Sequence, residues 1–506
     1  MIRRLNHKHT LINALGVAFL LFSITACDPF LDETPDNRVE LDNLDKAAQL
    51  LTNGYSIASP AFTDWLSDDV QFTTRVTIRQ SHEQMYRWED VTTGPDEQDT
   101  PDFFWYETYN SIAHANEVLA VLDDLPVISE EDKLRKDAIE GEAKLIRAYG
   151  HFMLVNMFAK HYDQETARDD LGIPYIKTPE TIFIDQYERE SVRKVYQEIE
   201  DDLEDGLELV SDNFYSNSGK YHFTRNATLA FASRFYLYMW DFQTSLRYSN
   251  ELLGNNPEAF VRDMTSDEFR NAKSSTTGYP QLYSSPDLPS NIMLGRKVSL
   301  IQRTDFGHAP SSDFYNGLFN QSLYPNATDE RENPAFVKGE EGLLPVRYQS
   351  LFQRNSINSN VGTPYHIAIL FRGEEVLFNR IECNIIFRDF DAAIADLNVL
   401  FRRRYSLLGN ADLEPVTLDD IRQLMNPSND PDFTDFLVML NYLLLEKRKE
   451  FIIQGFRWFD MKRYEIPIDH DFPGGGTITL EVGDPRWVLQ IPESAVDVGG
   501  LEPNPR

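Results

Sequence analysis

Apolar positions along much of this chain recur three and four residues apart. Tyr109, Ile112, Ala113, Asn116 and Leu119 form one such set, Ile139, Ala143, Ile146, Gly150, Met153 and Met157 a second, and Val192, Val195, Ile199, Leu203, Leu207 and Val210 a third. That spacing lines one face of an α-helix, so the pattern predicts amphipathic helices joined by loops. Ser191 is a natural N-cap for the third helix, and Gly172-Ile173-Pro174 breaks the chain before it. Helical spacing returns from about His366 to Tyr405 and from about Thr434 to Phe456.

Two stretches echo each other. Trp240-Asp241-Phe242-Gln243-Thr244-Ser245-Leu246 parallels Arg388-Asp389-Phe390-Asp391-Ala392-Ala393-Ile394, and Ala148-x3-Phe152 and Ala232-x3-Tyr236 match the small-aromatic element of tetratricopeptide repeats. Stacked helix pairs of this kind bury a continuous core. The expected fold is mainly α, with tetratricopeptide-like helix pairs as scaffold, a loop-rich ligand-binding portion and few short strands. The loop-rich portion is placed at 261–365, where Ser, Pro, Gly, Asn and Tyr accumulate, as in Ser274-Ser275-Thr276-Thr277-Gly278-Tyr279-Pro280. It separates helical regions at 41–260 and 366–465, and a C-terminal coil follows at 466–506.

The first residues give an address. Arg3, Arg4 and Lys8 precede an apolar run from Leu11 to Phe22, and Ile24-Thr25-Ala26 precede Cys27. This reads as a lipoprotein signal peptide over 1–26, with Cys27 lipidated and an acidic, extended tether over 27–40. Removing 1–26 takes away those three positive charges and moves the net charge from −33 to −36. Such an acidic chain is a poor partner for nucleic acid. Cys27 and Cys383 are the only cysteines, which excludes a disulfide framework and a thiolate metal cage.

Catalytic signatures are missing. No H-E-x-x-H, G-x-S-x-G, Walker A or G-x-G-x-x-G pattern occurs, and Asp305-Phe306-Gly307 lacks the companions of a kinase triplet and reads as a turn. The acidic stretches Asp96–Asp99 and Asp163–Asp170 do not fit a calcium loop. Neither a cofactor nor a metal site is expected.

Six features together resemble the SusD/RagB family of surface-exposed nutrient-binding lipoproteins. They are Cys27-Asp28-Pro29-Phe30-Leu31-Asp32; Tyr109-x-x-Ile112-x-x-Ala115-Asn116; Glu142 to Tyr149 with Ile173-Pro174; Val195-Tyr196-x-x-Ile199-Glu200-x-Asp202-Leu203; Glu446 to Arg463; and Ile491-Pro492-Glu493 with Asn504-Pro505. Gln454 and Lys447 depart from the family's usual Glu and Arg. The resemblance implies a helical, non-enzymatic binder of an oligosaccharide, or of a peptide, lipid-anchored at the outer membrane and facing outward. It also implies a SusC-like TonB-dependent transporter as partner. The alternative is a lipid-anchored helical-repeat scaffold with only protein partners.

Sugar recognition favours aromatic faces in loops with polar neighbours. By that test the candidate ligand contacts are Trp65, Tyr86, Trp88, Tyr279, Tyr283, Phe314 and Tyr315, and Asp68 joins them because Trp65-Leu66-Ser67-Asp68-Asp69 resembles a family element whose acid lies near the ligand-bearing face. Trp105, Phe231 and Phe235 are assigned to core, and Glu446–Arg463 to scaffold. Tyr86 and Trp88 at alternate positions would share one side of an extended segment.

Overall fold

The computed structural model describes residues 41–72, 79–180, 186–215, 218–299, 308–332, 335–337, 343–410 and 412–506. The signal, Cys27 and tether readings and the Asp305-Phe306-Gly307 turn lie outside these residues. Contacts divide the chain into Met1–Asp42 and Asn43–Arg506, and the second unit is described here.

Helices dominate. In chain order they are α1 (Leu44–Leu51), α2 (Gln80–Tyr86), α3 (Pro101–Val121), α4 (Glu130–Phe158), α5 (Val192–Leu209), α6 (Arg225–Tyr238), α7 (Phe242–Leu253), α8 (Asp267–Ala272) and α9 (Gly278–Tyr283). After them come α10 (Ser312–Asn320), α11 (Gly373–Ile386), α12 (Phe390–Arg402), α13 (Leu418–Met425), α14 (Asp435–Phe451), α15 (Arg457–Arg463) and α16 (Glu493–Asp497). The strands are short, apart from β2 (Asn291–Lys297) and β8 (Gly362–Arg372).

The starts of the helices follow from sequence. Thr100 caps α3 ahead of Pro101, Ser129 caps α4 ahead of three acids, and Ser191 caps α5 by accepting from the Lys194 amide. Pairs α3/α4, α4/α5, α6/α7 and α11/α12 pack side by side, and α7 packs on α11. Two glycines let α4 and α5 approach closely: a Cβ on Gly206 would lie 2.6 Å from Leu145 Cγ, and one on Gly141 would lie 2.8 Å from the Val210 nitrogen. The echoed segments are the same device used twice. Trp240 and Arg388 both take left-handed φ (63° and 64°), the next amide donates back to Tyr236 O or Asn384 O, and Asp241 or Asp389 caps the following helix.

The motif residues meet inside this scaffold. Arg147 holds Asp202 through two hydrogen bonds (2.7 and 2.8 Å) and donates to Asn116 Oδ1 at 3.0 Å. Tyr109 Oη donates to Pro174 O at 2.9 Å, and Asn116 Nδ2 to Ile176 O at 3.0 Å. In the Glu446–Arg463 block, Lys447 and Arg463 share Asp460 and Glu382, while Arg404 holds Glu450. Gln454 accepts from Arg372 and Tyr348, which is work an amide does without carrying charge. Buried pairs like these need every partner, since removing one strands a charge.

Residues 261–365 contain α8 to α10 and several strands. β2 pairs antiparallel with β8, and β8 with β7 (Leu351–Arg354), over a small separate core that includes Phe269, Tyr279, Tyr283 and Tyr348. Within 466–506, β10 (Ile468–Asp471) and β11 (Thr477–Leu480) form a hairpin turned by Gly474, Gly475 and Gly476, all at positive φ. No described helix is long and apolar enough to cross a membrane.

Candidate ligand-binding face

The face is built on a 3-10 turn, Pro60–Leu66, whose Ser59 Oγ accepts from the Ala61 amide. Gly455, at φ +78°, fits against this turn so closely that a Cβ would lie 2.7 Å from Pro60 O. Its amide donates to Asp64 Oδ2 at 2.7 Å. Burial, and then the neighbouring Asp69, push the Asp64 carboxyl well above the usual carboxylate range. The turn delivers Asp68 and Asp69 to Arg448, in the last turn of α14, and Arg457, the first residue of α15. Arg457 holds Asp68 with two bonds (2.8 and 3.0 Å), and Arg448 reaches Asp69 Oδ1 at 2.6 Å and Asp68 Oδ2 at 3.1 Å. Burial opposes ionisation of Asp68, but Arg448 and Arg457 outweigh it and hold its pKa below the ordinary value. Burial wins at Asp69, whose pKa is raised.

Both arginines open onto a groove of about 500 Å³. α10 supplies Asp313 and Phe314 to its wall and α14 supplies Asn441; Gln321 follows α10. The Arg448 guanidinium sits 4.6 Å from the Phe314 ring centre, so a cation covers one face of a half-buried aromatic. The groove therefore offers an aromatic edge and amides beside a nearly neutralised cluster of charge. Such a mixture suits a polyhydroxylated ligand.

A second patch lies across a two-residue ladder. β1 (Gln71–Phe72) pairs with β3 (His308–Ala309), and Gln71 Oε1 accepts from the amide of Ser311, the N-cap of α10. Phe72 packs 4.7 Å from His308 and 6.4 Å from Phe472, and the Arg87 guanidinium lies 4.1 Å from the Phe472 ring centre. Phe72, Phe472 and Arg87 are all half-buried. By contrast, the 60 Å³ cavity around Lys297, Arg234 and Arg372 is internal and has room for about two waters.

The candidates divide unequally between face and core. Asp68 and Phe314 line the face, with the Asp68 side chain 27% exposed. Trp65, Tyr86, Trp88, Tyr279, Tyr283 and Tyr315 are each no more than 4% exposed, which corrects their placement as open loop platforms. Trp65 stacks on His82 with ring centres 3.7 Å apart. Trp88 donates to Leu66 O at 3.0 Å, and Tyr315 to Glu332 O at 2.8 Å. Tyr279 and Tyr283 stack on each other in the small core below β2 and β8. All but Trp88 sit on short helical elements, which turn their large rings toward the core, where burial stabilises them most.

Tyr86 and Trp88 also do not lie on an extended segment: Tyr86 ends α2 and Trp88 turns at φ +52°. Phe72, Arg87 and Phe472 were not anticipated. The alternating runs Ile468–Asp471 and Thr477–Leu480 around Gly474-Gly475-Gly476 carried a hairpin signal that would have found Phe472. Among the described residues no group of three or more His, Cys, Asp or Glu is placed to hold a metal ion.

Stacked helix pairs bearing a loop-built face describe a class of helical binding scaffold, and comparison with known proteins gives that class a family. Residues 29–237 match a family model, SusD-like_3, described as starch-binding and associating with the outer membrane. A SusD-like protein P38 of Formosa agariphila is 22% identical over 439 residues, covering 81% of this chain and 80% of that protein. A putative sugar binding protein from Bacteroides vulgatus shares the fold at a TM-score of 0.67 and 20% identity, covering 92% of this chain and 99% of that one. A laminarin binding SusD-like protein shares it at 0.57 and 17% identity, with coverage of 92% and 99%. The resemblance carried by the sequence motifs is met by the family match over residues 29–237 and by the shared fold.

Proposed function

We propose that this chain is a cell-surface lipoprotein that binds an oligosaccharide and delivers it to a SusC-like TonB-dependent outer-membrane transporter. One observation carries the binding half: half-buried Phe72, Phe314 and Phe472 stand beside Arg87, Arg448, Arg457 and Asp68 on one loop-built face. Aromatic rings take the C–H surface of a sugar, and the charged groups take its hydroxyls. The family's starch-binding description and the laminarin-binding neighbour favour a glycan over a peptide. The ligand is held and passed on without bond cleavage.

In this reading residues 1–26 are removed, Cys27 is lipidated, and 27–40 tether the binding body at the outer membrane. The test has two arms. Mobility in native gels containing soluble starch or laminarin should be retarded for the wild type and restored by Phe72→Ala with Phe314→Ala. Cys27→Ser should move the protein out of the membrane fraction. Normal mobility of the wild type in every glycan tried, together with a stable protein complex, would favour the scaffold reading instead.

A further inference from the structure

His470, on β10, occupies a position that a neutral imidazole does not fill. Its Nδ1 lies 2.6 Å from Tyr86 O and its Nε2 2.8 Å from Ser67 O. Both partners are backbone carbonyls, which only accept. A neutral imidazole has a single N–H and would set its other lone pair against an oxygen; only the doubly protonated ring donates to both. No described backbone amide takes either carbonyl, so the ring is their partner.

The surroundings of the ring suit a cation in a second way. Tyr86 lies on one side, with ring centres 4.0 Å apart and 1° from parallel, and Trp88 lies at 4.2 Å and 10°. An imidazolium between two aromatic faces gains from both quadrupoles. Asp68 on the Ser67 side and Asp469 on the same hairpin add favourable charge. The remaining charged or titratable neighbours are Asp69 beside Asp68, Glu83 and Arg87 of α2, His308 of β3, Asp471 of β10, and Arg486 at 5.9 Å from the Trp88 ring. Burial is the largest influence on the ring and draws the His470 pKa below the ordinary value, against the carbonyls of Ser67 and Tyr86 and the charges of Asp68 and Asp469; the acceptors facing both nitrogens are what call for the second proton. His308 is held neutral, its pKa drawn down to about 3 by burial and then by His470 and Arg87.

We propose that His470 is an imidazolium at neutral pH and acts as a proton-dependent latch, a positioning residue that fixes the β10–β11 hairpin to the binding face. Tyr86 Oη completes the latch by donating to Asp471 O at 3.0 Å, and the next residue, Phe472, is thereby set beside Phe72 and Arg87. For both donations to persist at pH 7 the folded ring must hold its second proton more tightly than an exposed histidine, whose pKa is about 6.5. The latch is therefore complete below that value and is lost as pH rises through the higher folded value. Its effect on ligand affinity rests on the function proposed above; the protonation state does not.

The test uses the full mature protein without ligand. In histidine-labelled protein, nitrogen NMR should show both ring nitrogens of His470 protonated at pH 7, with the resonance assigned by its loss in His470→Gln. Hydrogen-exchange protection of β10 and β11 amides should fall about tenfold as pH rises through the titration in wild type and stay flat in His470→Gln, with α4 amides as the folding control. One protonated and one bare nitrogen at pH 7, or a titration midpoint below 6.5, overturns the proposal.

Discussion

Two arginine–aspartate pairs with nearly the same geometry do opposite jobs here. Arg147 and Asp202 are 8% and 6% exposed, and Asn116, Lys177 O and Tyr175 complete their hydrogen bonds. Arg457 and Asp68 are also bidentate but 12% and 27% exposed, with Arg457 on the wall of an open groove. The first pair locks three helical segments together and has nothing left to offer a ligand. The second keeps hydrogen-bonding capacity facing solvent. Pair geometry alone therefore does not separate scaffold from site; what separates them is whether neighbours have already used the remaining donors and acceptors.

This comparison can be broken most sharply in the scaffold. Arg147→Ala leaves Asp202 buried without its partner and should lower unfolding free energy by about 3–5 kcal/mol. Chemical denaturation checks it, and a loss under ~1 kcal/mol would remove the pair from the scaffold. Gly455→Ala comes next. It forces a side chain into left-handed backbone against Pro60 O, and the expected cost is about 1–3 kcal/mol by the same measurement.

Acid should separate the groups further. Burial opposes ionisation of Glu450, yet Arg404, Arg331 and Arg262 pull its pKa down to about 2. A depressed carboxylate pKa contributes stability that is complete above the unfolded value near ~4.3 and is lost as pH falls through the folded value. Stability should thus decline between about pH 4 and pH 2, and replacing Glu450 with Gln should remove part of that decline in pH-dependent melts. The smallest effect belongs to Asp64. Burial favours its neutral form and an amide keeps the acceptor for the Gly455 N–H, so Asp64→Asn should change stability at pH 7 by no more than ~0.5 kcal/mol.

Much of the scaffold was legible because its determinants are local or repeated. The Ser191 cap and the break at Gly172-Ile173-Pro174 both sit where sequence spacing put them. The Trp240 and Arg388 segments announced their shared geometry through shared residues. The binding face was less legible because its members come together from 68–72, 87, 313–321, 441–457 and 472, and no periodicity links those segments. Ring size also misled: tryptophans and tyrosines in irregular segments have the most to gain from burial, so Trp65, Trp88 and Tyr279 turned inward while the smaller Phe72, Phe314 and Phe472 stayed at the surface. Asp68 was found through the likeness of Trp65-Leu66-Ser67-Asp68-Asp69 to a family element.

Calorimetric titration of the mature protein and of a Phe72→Ala, Phe314→Ala double variant, each with soluble starch and laminarin oligosaccharides, tests the central claim most directly. The account predicts binding by the wild type to at least one glycan and a loss of about 5- to 150-fold in the variant, with unchanged melting, since each of the two aromatic contacts is worth about 0.5–1.5 kcal/mol. Equal affinity in the two proteins would contradict the assignment of this face as the glycan site.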